Sequence, residues 1–232
     1  KTAAPMTSGS IWKQMTFFAM PIFLGNLFQQ LYNTVDSLIV GNFLGSSALA
    51  AVSSSGSLIF MLIGFLSGIS AGAGVIVARF FGAGDEKNLQ RAVHTTVAFG
   101  LVAGVLMTGV GVALSPQILR WMDTPESVMR ESVTYLQIYF AGSLGFVMYN
   151  VLVGILQAVG DSRHPLYYLI VSSVINLVLD LLFITGFHTG VGGAAVATVI
   201  SQIVSALLCF WQLLRTKESY GLKIRKIRFD KG

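Results

Sequence analysis

The sequence contains long stretches without a single Asp, Glu, Lys or Arg. The longest of them are 37–78, 132–160 and 181–214. A helix of about 20 apolar residues spans the hydrocarbon core of a bilayer, so each stretch is long enough to cross it at least once. A helix on the surface of a soluble domain would show a charged stripe along one face, and these stretches show none. Because only 11% of the residues are charged and 54% are hydrophobic, the sequence predicts an all-α membrane protein.

Clusters of polar residues and Gly or Pro divide the apolar sequence into separate helices. We expect a bundle of six transmembrane helices, at about 16–40, 49–79, 92–114, 132–159, 165–185 and 193–214. The segment 215–232 is expected to be a basic cytoplasmic linker or tail, and we interpret its amphipathic part, 220–231, as a solvated loop at the membrane surface. Gly64, Gly68 and Gly72 share one face of the second helix, which predicts a close approach of another helix.

The distribution of basic residues predicts the orientation of the bundle in the membrane. If the N-terminus is cytoplasmic, all but two of the fifteen Lys and Arg residues lie in cytoplasmic segments. The two exceptions, Arg120 and Arg130, lie in one longer loop that also carries acidic residues. Loops on the cytoplasmic side of membrane proteins are typically enriched in Lys and Arg. We therefore expect a multi-pass protein of the cell inner membrane with both termini in the cytoplasm.

Several function classes are disfavoured by the same residues. The net charge of +5 follows from the loop asymmetry, and basic and aromatic residues do not alternate as in single-strand binders, so we expect no nucleic-acid partner. A single Cys209 cannot form a disulfide framework, and no two histidines have metal-ligand spacing on one helix face. No Ser, His and Asp residues form a recognisable nucleophile arrangement, so we do not expect an enzyme or a bound organic cofactor.

Two carboxylates lie inside the predicted spans, where charged groups are costly and usually functional. Asp36 and Asp180 each lie a few residues before the outer end of their helix, marked by Gly41 and Gly186. Asn176 lies one turn from Asp180 on the same face, and Thr198 lies at a similar depth in the last helix. We expect these four side chains to form one polar layer in the outer half of the bundle.

Two carboxylates in a low-dielectric site cannot both stay ionised without compensation. The layer therefore predicts either a shared proton or a bound monovalent cation such as Na⁺ with oxygen ligands. In the second case Asp36, Asn176, Asp180 and Thr198 would be the metal ligands. The structural alternative is that each Asp is satisfied by an interhelical hydrogen bond.

Six short segments, in order along the chain, resemble those of multidrug and toxic compound extrusion (MATE) transporters. They are Pro21-Ile-Phe-Leu-Gly-Asn26, Tyr32-Asn-Thr-Val-Asp36, Arg79-Phe-Phe-Gly-Ala-Gly84, Leu156-Gln-Ala-Val-Gly-Asp161, Asn176-Leu-Val-Leu-Asp180 and Gly192-Gly-Ala-Ala-Val-Ala-Thr198. Together they cover nearly the whole chain, and the bacterial and archaeal branch with an acidic N-terminal lobe is the most similar.

The resemblance implies a lobe of six helices, paired with a second lobe around a central cavity. It implies export of cationic or amphipathic compounds against an inward flow of H⁺ or Na⁺, with the lipid bilayer as a further partner. By position, Asp36, Asn176, Asp180 and Thr198 match the family's ion or proton site, and Pro21 matches a proline that acts as a hinge in the first helix. Tyr32, Asn33 and Asn150 match positions that line the substrate cavity.

The chain departs from the family pattern in two ways. Gln157 stands where many members carry Arg, and the chain supplies only one lobe. We expect a fragment of a longer transporter, although two copies of this chain could also pair. A lipid-linked oligosaccharide flippase of the same superfamily is the alternative function, but the spans carrying the acids show no bases for a pyrophosphate; a non-transporting membrane scaffold is the other alternative.

Overall fold

The computed structural model of the chain describes residues 10–223, apart from the side chain of Ile11. Within that range the chain forms seven α-helices and one short π-helical turn. They are α1 (Ile11–Leu44), α2 (Ser46–Gly82), α3 (Glu86–Trp121), α4 (Glu126–Ala141), α5 (Ser143–Ala158), α6 (Arg163–Leu181), the π-turn (Leu182–Gly186) and α7 (Val191–Arg215). The prediction of an all-helical protein is confirmed for these residues.

The predicted fourth helix, 132–159, is broken at Gly142, and the resulting helices α4 and α5 are bent by 50° relative to each other. A Cβ atom at Gly142 would collide with the side chain of Val199 on α7. The break therefore lies where α7 packs against the backbone, and only glycine fits there. The sequence did not reveal it, because the apolar residues continue through the break.

Four helices are long and apolar enough to cross a membrane: α2, α3, α6 with the π-turn, and α7. The bent pair α4–α5 is a fifth candidate if it is counted as one span. The first helix is not among these candidates, because its second half contains Gln29, Gln30, Asn33 and Asp36. The described helices thus supply four or five candidate spans instead of six uniform ones.

The core of the bundle forms around α5. Leu152, Ile155 and Leu156 are buried there against α3 and α7. The other helices differ widely in burial. Of an 18-residue apolar stretch in each helix, only 11% is buried in α2, against 56% in α7. Many apolar side chains of α1, such as Phe17, Phe23 and Leu31, and of α2, such as Phe60 and Phe65, are therefore exposed in the described chain.

The glycines of α2 do not pack as predicted. A Cβ atom added to Gly64, Gly68 or Gly72 would meet no other atom within 4 Å among the described residues. The predicted close approach at this face is therefore wrong for residues 10–223. Close approach occurs instead at Gly104 and Gly154, whose missing Cβ atoms leave room for Leu144 and Ser70.

Two turns with the same construction lie at one end of the bundle, where α2 and α7 end and α3 and α6 begin. We call this end the basic end. Gly84 and Gly160 have positive φ angles of 68° and 88°, and each is followed by an aspartate that caps the next helix. Asp85 Oδ1 accepts from the backbone N–H of Asn88 (3.1 Å), and this bond holds the pKa of Asp85 below its usual range.

The first part of the predicted linker is docked and not solvated. Residues 216–223 fold back onto the basic ends of α2 and α3, where Tyr220 and Leu222 are buried. The Tyr220 ring packs edge-on against Phe81, with ring centroids 6.0 Å apart. The backbone N–H of Leu222 also donates to Leu213 O (2.9 Å). The interpretation of a solvated loop is therefore wrong for 220–223, and residues 224–231 lie outside the described residues.

His94 and Gln90 of α3 hold this docked segment through hydrogen bonds. The Nδ1 atom of His94 lies 2.6 Å from Gln90 O, and its Nε2 accepts from the backbone N–H of Lys223 at 3.0 Å. Gln90 Nε2 donates to Gly221 O (3.1 Å) and to Ser219 O. The buried His94, which belongs to no sequence motif, thus holds the segment after α7 against α3. We call this contact the clamp.

Replacing His94 by Ala is expected to release residues 219–223. Loss of one buried hydrogen bond contributes ~1 kcal/mol, so amide exchange of this segment should accelerate about fivefold. Hydrogen exchange of the full-length protein, read by mass spectrometry, checks this. His188→Ala, in the exposed turn before α7, is the control and should leave the segment unchanged; equal exchange in both variants would contradict the clamp.

Candidate functional site

The structure brings Asp36 of α1 and Asp180 of α6 together. Their carboxyl groups lie within hydrogen-bonding reach of each other. Two carboxyl groups can hydrogen-bond to each other only if one carries a proton, because an ionised carboxylate has no donor. Asp180 is fully buried. The pair is therefore arranged to hold at least one positive charge between its oxygens.

Each of these carboxyl groups keeps one buried oxygen without a partner. The Oδ1 atoms of Asp36 and Asp180 are shielded from solvent and accept no hydrogen bond from an N–H or hydroxyl group in residues 10–223. A buried, unsatisfied polar atom is costly, so such atoms in a folded protein call for a bound group or a proton. The structural alternative, in which interhelical hydrogen bonds satisfy both acids, stays open, since the bond between Asp36 and Asp180 is itself interhelical.

Asn176 and Thr198 lie beside the pair, as the sequence predicts. With its amide oriented to match its neighbours, Asn176 donates to Asp180 Oδ2 (3.3 Å) and accepts from the backbone N–H of Thr198 (3.2 Å). The Thr198 hydroxyl itself donates to Ala194 O (3.1 Å) within α7. Thr198 thus adjoins the site through its backbone N–H, and its hydroxyl oxygen retains lone pairs.

Tyr32 belongs to this polar layer and not to a separate cavity. It interacts electrostatically with both Asp36 and Asp180, and its hydroxyl is a hydrogen-bonding neighbour of Gln202. Gln202 is buried in α7, and its Oε1 has no partner in the described part of the chain. The sequence analysis missed Gln202, although its position four residues after Thr198 on one helix face was an available signal.

Tyr135 of α4 is a second residue that the sequence analysis missed. It is buried, interacts electrostatically with Asp36, and stacks on Tyr139 with ring centroids 6.5 Å apart. Both tyrosines lie within the two turns before the break at Gly142. The break therefore aims the end of α4 at the acidic pair, a relation that no local sequence pattern indicates.

A π-helical turn follows Asp180 directly. The residues Leu182–Gly186 adopt this wider turn between α6 and the loop that leads to α7. Such turns are rare and occur frequently at functional sites, because they shift the helix face of the residues beside them. In this chain the turn separates the acidic pair from the end of the bundle.

The predicted substrate residues are divided between two places. A pocket of about 160 Å³ between α1 and α6 is lined by Tyr32 together with Asp36 and Asp180. A larger cavity of about 530 Å³, nearer the basic end, is lined by Asn150 and Pro21. No residue lines both. Asn33 lines neither of them; it is exposed, and its Nδ2 donates to Gln30 Oε1 (3.3 Å).

The larger cavity has a neutral lining. Its polar side chains are amides and hydroxyls from α1, α2, α5 and the turn before α6: Asn26, Gln29, Ser67, Ser70, Asn150, Gln157 and Ser162, with Tyr149 beside them. Ser70 donates to Asn150 O (2.7 Å), which ties α2 to α5 across the cavity wall. The volume falls within the range of about 300–1,000 Å³ that is usual for small-molecule sites.

Helix α1 continues without interruption through Pro21. Proline has no N–H to bond to the carbonyl four residues earlier, so this position is a weak point of the helix. Pro21 faces the larger cavity, and α1 packs on α6 at Gly25. Its role as a hinge stays a prediction.

The donor set of the site suits a proton or a hard monovalent cation. Two carboxyl groups, an amide and a hydroxyl are oxygen ligands, which bind such ions better than soft metals do. No group of three His, Cys, Asp or Glu residues gathers anywhere in residues 10–223. The four predicted ligands nevertheless remain predictions.

A comparison with known proteins shows the family. The MatE family model matches residues 21–182, more than half of the chain. The chain belongs to the MatE family. The resemblance seen in the sequence is thereby confirmed, and with it a multi-pass membrane protein of a transporter family.

Individual MatE relatives agree with this assignment. A curated protein described as probable multidrug resistance protein YoeA, of Bacillus subtilis, is 36% identical over 96% of this chain and 47% of its own length. Solved structures of a multidrug resistance MATE family transporter in outward-facing and inward-facing conformations match with TM-scores of 0.86 and 0.80 and identities of 26% and 28%. They cover 94% and 88% of this chain, and 49% and 46% of theirs.

The chain spans about half the length of the relatives it matches. One copy of the six-segment pattern therefore accounts for one half of such a protein.

Asp180→Asn is expected to keep the stability of the fold, whereas Asn176→Leu should lower it by about 1–3 kcal/mol. The first variant removes a buried charge and retains an acceptor for Asn176; the second leaves Asp180 Oδ2 without its donor. Thermal unfolding of the purified protein in detergent checks the order. An Asp180→Asn protein less stable than Asn176→Leu would contradict this account of the site.

Proposed function

We propose that this chain is the N-terminal half of an ion-coupled exporter of cationic or amphipathic compounds that works by alternating access. The proposal depends on one observation above all. The carboxyl groups of the buried Asp180 and the half-buried Asp36 lie within hydrogen-bonding reach, and one oxygen of each is shielded from solvent without an N–H or hydroxyl donor. Such a pair binds a cation and releases it when the site opens to the other side, which is the chemistry a coupling site needs.

The coupling ion we propose is H⁺, shared between Asp36 and Asp180. Direct contact between two carboxyl groups favours a proton, because Na⁺ would separate the oxygens that it binds. Na⁺ is the alternative, held by Asp36, Asn176, Asp180 and the Thr198 hydroxyl. The two ions are distinguished by the gradient that drives transport.

The proposed topology has six spans, with α1 as the first and the bent pair α4–α5 as the fourth. The basic end then faces the cytoplasm, because Arg79, Lys87, Arg91, Arg163 and Arg215 all lie there. This places the acidic pair in the outer half of the inner membrane and both ends of the chain in the cytoplasm. The polar face of α1 is compatible with a span, since its acid lies against α6 and away from lipid.

The missing half is proposed to cover α1 and α2. Both helices carry exposed apolar side chains, and only 11% of the most apolar stretch of α2 is buried. Since the relatives are about twice as long as this chain, the covering half belongs to the same polypeptide and not to a second copy. The two halves would then enclose the cavity that Asn150 lines.

In the proposed cycle, ion binding and substrate binding exclude each other. A proton on the acidic pair removes the charge that attracts a cationic substrate, and it lowers the cost of burying the pair. Helix α1 then bends at Pro21, narrows the larger cavity and expels the substrate outward. Deprotonation on the cytoplasmic side restores the attraction and completes the cycle.

The test is drug efflux from energised vesicles that contain the full-length protein. Asp36→Asn and Asp180→Asn should each reduce gradient-driven efflux of a cationic dye at least tenfold, because a neutral pair cannot exchange an ion. Asp123→Asn, an exposed acid in the turn after α3, is the matched control and should transport normally. Imposing H⁺ and Na⁺ gradients separately identifies the ion.

Efflux that persists in both variants would return the two aspartates to a structural role. Efflux without any gradient would favour a lipid-linked oligosaccharide flippase, and no movement of either compound would favour a scaffold. A normal Asp123→Asn protein ensures that the losses come from the site and not from a general change of acidic residues.

A further inference from the structure

The pocket beside the acidic pair and the larger cavity come within about one helical turn of each other. On α1, Gln29 lines the larger cavity and Tyr32, three residues later, lines the pocket. On α6, Leu169 lines the larger cavity and Ser173, four residues later, lines the pocket. Three or four helical residues rise by roughly 5–6 Å. The barrier between the two spaces is therefore about one layer of side chains thick.

Two tyrosine side chains lie at this barrier. Tyr32 borders the acids on one side, and Tyr149 of α5 lines the larger cavity on the other. The two side chains interact electrostatically with each other. The amide of Gln202 on α7, which is buried, adjoins the Tyr32 hydroxyl. We call Tyr32, Tyr149 and Gln202 the polar partition, since they bring polar groups of three helices to the layer that separates the two spaces.

The chemistry of the partition suits the passage of a proton. A hydroxyl group both donates and accepts hydrogen bonds, so its oxygen can take up one proton while its own proton leaves to the next acceptor. The hydroxyl is unchanged by such a transfer. An amide cannot do the same without changing its tautomer, so Gln202 orients the Tyr32 hydroxyl and does not carry the proton. A metal cation has no equivalent route through a closed layer of side chains.

The larger cavity can receive the proton. With a volume of about 530 Å³ and a lining of amides and hydroxyls, it is polar and roomy enough for several water molecules. Among residues 10–223, no Lys, Arg or His lines it to repel a proton, and no Asp or Glu lines it to retain one. It lies nearer the basic end, which is the cytoplasmic end in the proposed topology.

We propose that the polar partition is the proton exit from the acidic pair to the larger cavity. A proton on Asp36 or Asp180 passes to the Tyr32 oxygen, the Tyr32 proton passes to the Tyr149 oxygen, and the Tyr149 proton passes to water in the larger cavity. One O–H bond forms for each that breaks, and both tyrosines end neutral. This exit rests on the proposed function in taking H⁺ as the coupling ion, and it adds the residues through which the proton leaves.

The test follows protons through the full-length protein in liposomes, with the basic end facing a lumen that contains a pH indicator and a cationic dye. After the outside is acidified, Tyr32→Phe and Tyr149→Phe should each acidify the lumen at least fivefold more slowly than wild type. Equilibrium proton uptake by the purified protein should stay unchanged, because both aspartates remain. Tyr167→Phe is the matched control: Tyr167 is exposed on α6, lines neither space, and its loss should leave the rate within twofold of wild type.

A rescue variant separates conduction from packing. An imidazole ring accepts a proton on one nitrogen and donates from the other, so Tyr149→His should regain at least half of the wild-type rate. A Tyr149→His protein as slow as Tyr149→Phe would overturn the exit, and so would luminal acidification at the wild-type rate in both Phe variants. Loss of equilibrium proton uptake in the Phe variants would overturn it as well, since the tyrosines would then form the binding site and not the route from it.

The outcomes also distinguish this exit from the proposed function. If efflux follows the H⁺ gradient and needs both aspartates, but the Phe variants conduct like wild type, the exit fails and the exporter stands. If the Phe variants slow acidification while efflux ignores every gradient, the exit stands and coupled export fails. If Asp36→Asn and wild type take up equal numbers of protons, the pair holds no proton and the exit fails with H⁺ coupling.

Discussion

The free energy needed to keep two carboxyl groups away from water constrains the arrangement of this helix bundle. An isolated carboxylate in a medium of low dielectric costs far more than any single packing contact returns. The fold meets that cost by placing Asp36 and Asp180 against each other and by adding the amide of Asn176. It leaves one oxygen of each acid without a donor among residues 10–223.

The surrounding elements follow from that requirement. The break at Gly142 directs the end of α4, with Tyr135, towards the acids, and the π-turn follows directly after Asp180. Helix α1 is polar along the stretch that contains Asp36, so its apolarity is lower than that of the other long helices. Irregular backbone and polar residues thus concentrate beside the site, while the regular core lies around α5.

Sequence patterns predicted the acidic layer well, because ionisable residues in apolar stretches are rare and their depth follows from helical rise. The long stretches without charged residues likewise predicted the helical class. They could not predict the break at Gly142, since glycine is common in membrane helices and only the position of Val199 makes it a break. Asn33 and Asn150 look equivalent in sequence, but one is exposed and the other lines the larger cavity, a difference set by tertiary packing. The docking of residues 216–223 depends on partners more than a hundred positions away, which no local pattern reports.

The docking of residues 216–223 shortens the free length of chain after α7. If the chain were free from Arg215 onward, the eight residues to Lys223 would wander over roughly 15 Å, as expected for a flexible chain of that length. Held by His94 and Gln90, they instead deliver the chain to a fixed point beside α2 and α3. The clamp therefore fixes Lys223 beside the basic ends of α2 and α3, and any segment that follows it starts from that fixed point.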